Sequence, residues 1–247
     1  YFTSIFQDNA EDTIKKWKKK EKEEEIQLPW KKLRDVRTQY YNIRDRYLRS
    51  KNEEVSKPMV QELATQYLKA LGYEYINSVS EEVADGLNIP IFHEVTKTNG
   101  APLLWAFLSV AAERDDDILQ GYIFEKSDDD ENGASVDVVN DEILAKLFFA
   151  GEEAPRFILL FGINQIALID RNKWNEKRYL QFIMEDIYSR HEESTFMAMT
   201  VLLHKESLCP TDGAIVLDSL DENSHKHSDG VSDALKYALR ESIEILG

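Results

Sequence analysis

A chain of 247 residues, 43% hydrophobic and 11% aromatic, holds enough apolar material for one substantial core or a core with a helical appendage. Its net charge of −16 excludes a protein that coats nucleic acid with its whole surface. No apolar run reaches the roughly 18 residues that span a bilayer, the start Tyr1-Phe2-Thr3-Ser4 lacks a basic signal region, and a lone cysteine excludes an internal disulfide.

Residues Glu11–Glu25 are almost all Lys and Glu around Ile14 and Trp17, a helix former with many charge pairs and little to bury. Pro29 marks a break. From Trp30 to Leu48, residues Leu33, Val36, Tyr40, Ile43 and Tyr47 recur at helical spacing, one apolar stripe on a basic helix, which predicts docking against a body. Pro58–Leu71 is a further amphipathic helix, ended by Gly72 as a left-handed cap. Tyr73–Val79 is expected to be the first strand.

Ile91–Thr96 and Leu103–Val110 flank Asn99-Gly100, and this pattern predicts a hairpin because both turn residues tolerate positive φ. The second run is nearly continuous apolar, as suits a strand covered on both faces. Asp115–Gly133 reads as an acidic insertion anchored at Ile118–Phe124, and Val138–Phe149 as a helix. Arg156–Phe161 and Gln165–Asp170 form a second hairpin around Gly162-Ile163-Asn164. Asp170–Asn175 is a turn cluster, and Tyr179–Ile183 a short strand. Beyond Glu185 the pattern is helical, closing over Ser232–Leu246 with Leu235, Ala238, Leu239, Ile243 and Leu246 in register. The expected fold is α/β, a mixed central sheet flanked by helices, with a helical N-terminal arm (1–54), a core (55–190) and a helical C-terminal segment (191–247). Cys209 fits a reducing compartment as a buried spare thiol, and cytoplasm is the expected location.

A carboxylate embedded in the first hairpin, Glu94, invites comparison with metal-dependent nucleases. In those enzymes an acidic residue and a Glu-x-Lys pair on adjacent strands hold Mg²⁺ and orient water toward a phosphodiester. Residues i and i+2 of a strand share a face. Here the i+2 partner of Glu94 is Thr96, and Lys97 is one step off. Asp85 and the more distant Glu62 are the other candidate metal ligands. Catalytic candidates are thus Glu94, Asp85 and Lys97, and metal candidates Asp85, Glu94 and Glu62, with a degenerate site expected. His225-Lys226-His227 with Asp229 is read as a helix-entry loop. The sequence has no phosphate-binding loop of the G-x-x-x-x-G-K-[ST] type, no G-x-G-x-x-G, no Asn-Pro-Pro-Tyr and no C-x-x-C.

Charge is distributed unevenly. Lys31–Lys51 holds eight basic residues against Asp35 and Asp45, while Glu113–Glu131 holds nine acidic ones against Arg114 and Lys126. The basic helix could follow a nucleic-acid backbone. Its apolar stripe fixes the docked face and leaves Lys31, Arg34 and Arg49 to project toward phosphate. The alternative is a solvated helix whose arginines pair with the acidic stretch.

Arg156-Phe-Ile-Leu-Leu-Phe-Gly and Ala167-Leu-Ile-Asp-Arg-Asn-Lys-Trp-Asn-Glu-Lys-Arg-Tyr-Leu resemble the region ahead of the methyltransferase in type IIG or IIS-like bacterial restriction–modification proteins and related phage-defence methylases. Leu217-Asp-Ser-Leu-Asp-Glu-Asn-Ser-His-Lys-His, the run Gly230–Leu246 and the Asn-Gly-Ala-Pro-Leu-Leu-Trp of Ile89–Ser109 fit the same family. The resemblance covers most of the chain after about residue 55. It implies a restriction-endonuclease-like PD-(D/E)XK core, double-stranded DNA as a partner, and a covalently attached adenine methyltransferase. S-adenosylmethionine would serve only that downstream domain, and Mg²⁺ would be needed only if the nuclease site is active. The missing Glu-x-Lys favours DNA engagement or control of the methylase over cleavage. An active Mg²⁺-dependent type II endonuclease and a protein-interaction module without DNA contact are the alternatives.

Overall fold

The computed structural model describes residues 5–50, 53–84, 87–110, 117–123, 140–150, 154–220 and 243–246. In chain order these form helices α1 (Ile5–Glu24), α2 (Pro29–Asp35), α3 (Arg37–Arg49) and α4 (Glu53–Ala70), then strands β1 (Val79–Ala84), β2 (Leu87–Ile91), β3 (His93–Thr96) and β4 (Pro102–Val110). A 3₁₀ turn (Ile118–Gln120), β5 (Tyr122–Ile123), α5 (Asn140–Ala150), β6 (Phe157–Phe161), β7 (Gln165–Asp170), α6 (Arg171–Trp174) and β8 (Tyr179–Ile183) follow. Helices α7 (Met184–Arg190), α8 (Glu193–Leu203) and α9 (Lys205–Leu208) and strand β9 (Ile243–Leu246) complete the set. The fold is mixed α/β, with a central sheet flanked by helices. No helix among the described residues is long and apolar enough to cross a membrane.

Two compact units divide the chain: Tyr1–Tyr40, Gln66–Glu74 and Leu180–Leu246 form the first, and Tyr41–Thr65 and Tyr75–Tyr179 the bulk of the second. In the second unit both expected hairpins share one sheet. Strands β3 and β4 pair antiparallel around the Asn99-Gly100 turn, where Gly100 takes φ +84°. Strand β4 then runs parallel to β6, from Leu104 opposite Phe157 to Leu108 opposite Phe161. Strands β6 and β7 close the second hairpin, Phe157 opposite Asp170 and Phe161 opposite Ile166.

All five residues of β6 are fully buried, as are Leu104, Ala106 and Phe107 of β4. That explains the unbroken apolar runs: a strand covered on both faces has no polar side to present. Each such Leu or Phe contributes about 1.5–3 kcal/mol relative to exposure. The crossover from β4 to β6 is tied down by Asn140 at the start of α5. Its side-chain amide donates to Ser109 Oγ (2.7 Å) and to the Ile118 carbonyl (2.6 Å), and its backbone N–H donates to the Gly121 carbonyl (2.8 Å).

In the first unit, helix α8 is the hub. Trp30 of α2 donates its indole N–H to Glu193 (2.9 Å), and the Tyr188 hydroxyl donates to the Leu33 carbonyl (3.0 Å). Tyr188 also stacks against Tyr40 and Phe196, with ring centroids 5.0 and 5.6 Å away. The expected stripe is buried at Leu33, Val36, Tyr40 and Ile43. It is carried by two helices, not one, because Val36 makes a tight bond back to Leu33 and ends α2.

Other expectations are corrected. Helix α1 buries Ala10, Ile14 and Trp17 at helical spacing, so the Lys/Glu-rich run has a core face after all. Tyr73–Val79 is no strand up to Ser78: Tyr73 is a core anchor whose hydroxyl reaches the Leu203 carbonyl (3.1 Å), and the strand starts at Val79. It pairs with β2 in a hairpin that polar Ser80, Glu81 and Glu82 hid from a pattern search, and Ile91 belongs to that hairpin. Within Asp170–Asn175, Arg171–Trp174 is a short helix, α6, with the Asp170 side chain accepting from Asn172 N–H (2.9 Å). Of the helix expected over Ser232–Leu246, residues 232–242 lie outside the described residues, and Ile243–Leu246 are strand β9, beside β8, as β-branched Ile243 and Ile245 flanking Glu244 favour.

Candidate functional site

Glu94 sits on β3 directly opposite Trp105 of β4, and the indole N–H of Trp105 donates to its carboxylate at 3.0 Å. The neighbouring residues on that face of β4 are Leu103 and Phe107, neither acid nor lysine. Beyond Glu94 the ladder shifts register between Val95 and Thr96, so that Thr96 meets Pro102. Lys97 follows the strand on the exposed turn, its N–H bonded to the Ala101 carbonyl (2.8 Å). Glu62 lies exposed on α4, 3.6 Å from Arg46. Asp85, most of the acidic stretch and His225–Asp229 lie outside the described residues. Among the described residues no group of three His, Cys, Asp or Glu is arranged to hold a metal ion. Arg156 forms a two-point pair with Asp170 at 3.0 and 3.3 Å.

Of the three candidate phosphate-facing cations, Lys31 and Arg34 lie on α2 and Arg49 on α3. Lys31 is held by Glu21 at 2.7 Å, and Arg34 lies 3.6 Å from Asp35; both are in the first unit. Arg49 is exposed on α3, in the segment assigned to the second.

The first unit also contains a cleft of about 390 Å³. Three sequence-distant segments form it: α1–α2 supplies Trp17, Lys20, Ile26 and Lys32, the end of α4 supplies Gly72, and the α8–α9 corner supplies His204, Lys205 and Glu206. The geometry starts from helix ends. Gly72 closes α4 with φ +84°, its N–H bonded to the Lys69 carbonyl (3.1 Å) and the Tyr73 N–H to the Leu68 carbonyl (2.9 Å), a Schellman pattern. The adjoining Leu71 carbonyl accepts from Lys205 N–H (2.9 Å). His204 caps α9, its Nδ1 accepting from Glu206 N–H (3.2 Å). An Nδ1 that accepts leaves the proton of the neutral ring on Nε2.

The imidazole is only 7% exposed and meets the Trp17 indole edge-on, with centroids 4.6 Å apart. Burial pushes its pKa down to about 4; Glu206 opposes that shift, while Lys20, Lys32 and Lys16 add to it. The Glu206 carboxylate takes three donors, Lys20 (2.8 Å), Lys16 (3.0 Å) and the Trp17 indole (3.1 Å). Burial alone would raise its pKa, but those hydrogen bonds outweigh it and hold the group at about 2. Cys209, also lining the cleft, is pushed up to about 12 by burial, against the opposing charge of Lys205. A deprotonated nucleophile there is therefore excluded near neutral pH.

In the sequence His204 is a lone histidine outside any metal-ligand spacing. The available signals were a helix-capping position, His-x-Glu, and a glycine at the end of α4. Comparison of the chain with protein-family models, curated proteins and solved structures returns no match.

Proposed function

We propose that this chain is a nuclease-like, DNA-engaging or regulatory module of a bacterial restriction–modification or phage-defence DNA methyltransferase, and that it does not itself cleave DNA. The mixed sheet of the second unit, with its Glu94-bearing hairpin beside a parallel strand, supports a restriction-endonuclease-like core of the PD-(D/E)XK type. The observation that carries the reading is the Glu94–Trp105 pair. Where a nuclease of that type needs a second acid or a water-orienting lysine, this chain has an indole across the ladder and Thr96 two residues on. A glutamate engaged by an indole N–H on an apolar face is a poor Mg²⁺ ligand set, since that ion takes oxygen ligands in octahedral array.

Two assays test it. Plasmid DNA incubated with the protein and Mg²⁺ or Mn²⁺ is expected to stay intact; metal-dependent nicking abolished by Glu94→Ala would establish an active endonuclease instead. Duplex DNA is expected to bind at low salt and independently of sequence, with a dissociation constant in the non-specific range of about 10⁻⁴–10⁻⁶ M at physiological salt. The combined Lys31→Ala, Arg34→Ala, Arg49→Ala variant should bind less tightly and with a shallower salt dependence. Absence of binding at low salt would turn the assignment to a protein-interaction module.

A further inference from the structure

We infer that the His204 cleft is a receptor for a terminal phosphate group, carried by a small organic phosphate or by a nucleic-acid end. The cleft lies wholly within the first unit, and the inference stands apart from the Glu94 strand pair. Three observations meet there. Lys32 and Lys205 line the cleft and have no carboxylate partner among the described residues, whereas Lys16 and Lys20 are committed to Glu206. His204, more than nine-tenths buried, spends Nδ1 on the α9 cap, and its Nε2 has no hydrogen-bond partner among the described residues. Gly72 lacks the side chain that would cover this edge of the ring, since a Cβ there would meet Nε2 at 2.6 Å.

The donor set selects the ligand chemistry. Two unpaired ammonium groups and one neutral N–H offer point charges and a single directed bond, with no guanidinium among the lining residues. A planar carboxylate is best met by the two-point fork of arginine, while lysine serves a tetrahedral phosphate as a point charge. Of the two acids on the lining, Glu206 is already compensated by two lysines and an indole, which leaves Glu74 alone against the two lysines Lys32 and Lys205. A volume of about 390 Å³ admits a phosphate together with a small organic body, which the Ile26 and Pro29 rim would meet on its apolar side.

The test titrates the protein with inorganic phosphate by calorimetry, and follows the His204 imidazole resonances in parallel. Saturable one-to-one binding is expected, with the Nε2 resonance shifting as sites fill. The Lys32→Ala, Lys205→Ala variant is expected to bind about tenfold more weakly or worse. These lysines bear no ion pair among the described residues, and unchanged circular dichroism would show that the fold is kept. Acetate at equal concentration should give no saturation. No saturable phosphate binding, equal affinity in the lysine variant, or acetate binding as tightly as phosphate would each overturn the proposal. Adenosine monophosphate and a DNA hairpin with a 5′-phosphate or a 5′-hydroxyl then separate the sources. Preference for the nucleotide assigns a small-molecule site, and preference for the phosphorylated hairpin assigns a DNA-end site.

Discussion

A methyl group on Gly72 would stand 2.6 Å from Nε2 of His204 and 2.8 Å from its Cε1, closer than real Cβ contacts come. The imidazole cannot retreat easily, because it is packed against Trp17 and bonded through Nδ1 to the start of α9. Gly72→Ala therefore adds a steric conflict to the strain of a left-handed residue. Gly100 has the same φ of +84° but nothing within 4 Å, so Gly100→Ala carries the strain alone. Urea unfolding should show about 1 kcal/mol lost for Gly100→Ala and at least about 2 kcal/mol for Gly72→Ala. Equal losses would mean that the ring moves aside freely.

Acidification should weaken the fold in two stages. His204 has its pKa lowered from 6.5 to about 4 in the folded protein, so the unfolded chain binds the extra proton first, and stability falls as pH drops from about 6.5 to 4. Glu206 is lowered from 4.5 to about 2; its contribution is present above 4.5 and lost as pH falls toward 2. The first stage amounts to something on the order of 3 kcal/mol. His204→Asn keeps a side-chain cap acceptor and removes the titration, so its stability should be flatter between pH 6.5 and 4.5 than that of the parent. Parallel pH profiles for the two proteins would remove His204 as the cause.

The Arg156–Asp170 pair is a further point of sensitivity. Both side chains are largely buried, 19% and 13% exposed, and Asp170 also caps α6. Asp170→Ala removes the two-point carboxylate partner of a largely buried guanidinium and should cost roughly 3–5 kcal/mol. Asp170→Asn keeps the cap and a polar partner and should cost clearly less. Thermal denaturation of the two variants side by side checks the order.

The two central hairpins were readable because local rules and global packing agree there. Asn99-Gly100 and Gly162 sit between runs whose apolar content matches strands buried on both faces. The stripe from Leu33 to Ile43 was readable for the same reason, though not the break at Val36. Strands β1 and β9 were not, since Ser80-Glu81-Glu82 and the short Ile243–Leu246 gain their pairing from neighbours that no local pattern names. The cleft was least legible of all. Trp17, Gly72 and His204 are ordinary residues for a helix face, a helix end and a cap, and only the packing of three distant segments makes them neighbours.

Cys209 offers a direct probe of that packing. Its thiol is buried and raised to about 12, so a thiol reagent at pH 8 should react only when the α8–α9 corner opens. Labelling should be slow in the native protein and fast in denaturant. Gly72→Ala is expected to accelerate it by loosening the same corner, and unchanged labelling in that variant would show that Gly72 does not hold this region closed.

The parallel pairing of β4 with β6 has a consequence during synthesis. As the chain leaves the ribosome, Leu104–Leu108 emerges well before Phe157–Phe161, the segment that saturates one of its hydrogen-bonding edges. Until the whole crossover has been made, an apolar strand with open N–H and C=O groups waits beside the β3 hairpin, a template for any other nascent strand. The stretch between them holds the acidic run from Glu113 to Glu131. Carboxylates close in sequence to such an edge keep like chains apart by repulsion, so replacing those other than Asp117, which caps the 3₁₀ turn and accepts from the Tyr179 hydroxyl, with neutral residues should lower soluble yield while leaving the melting temperature of correctly folded protein unchanged.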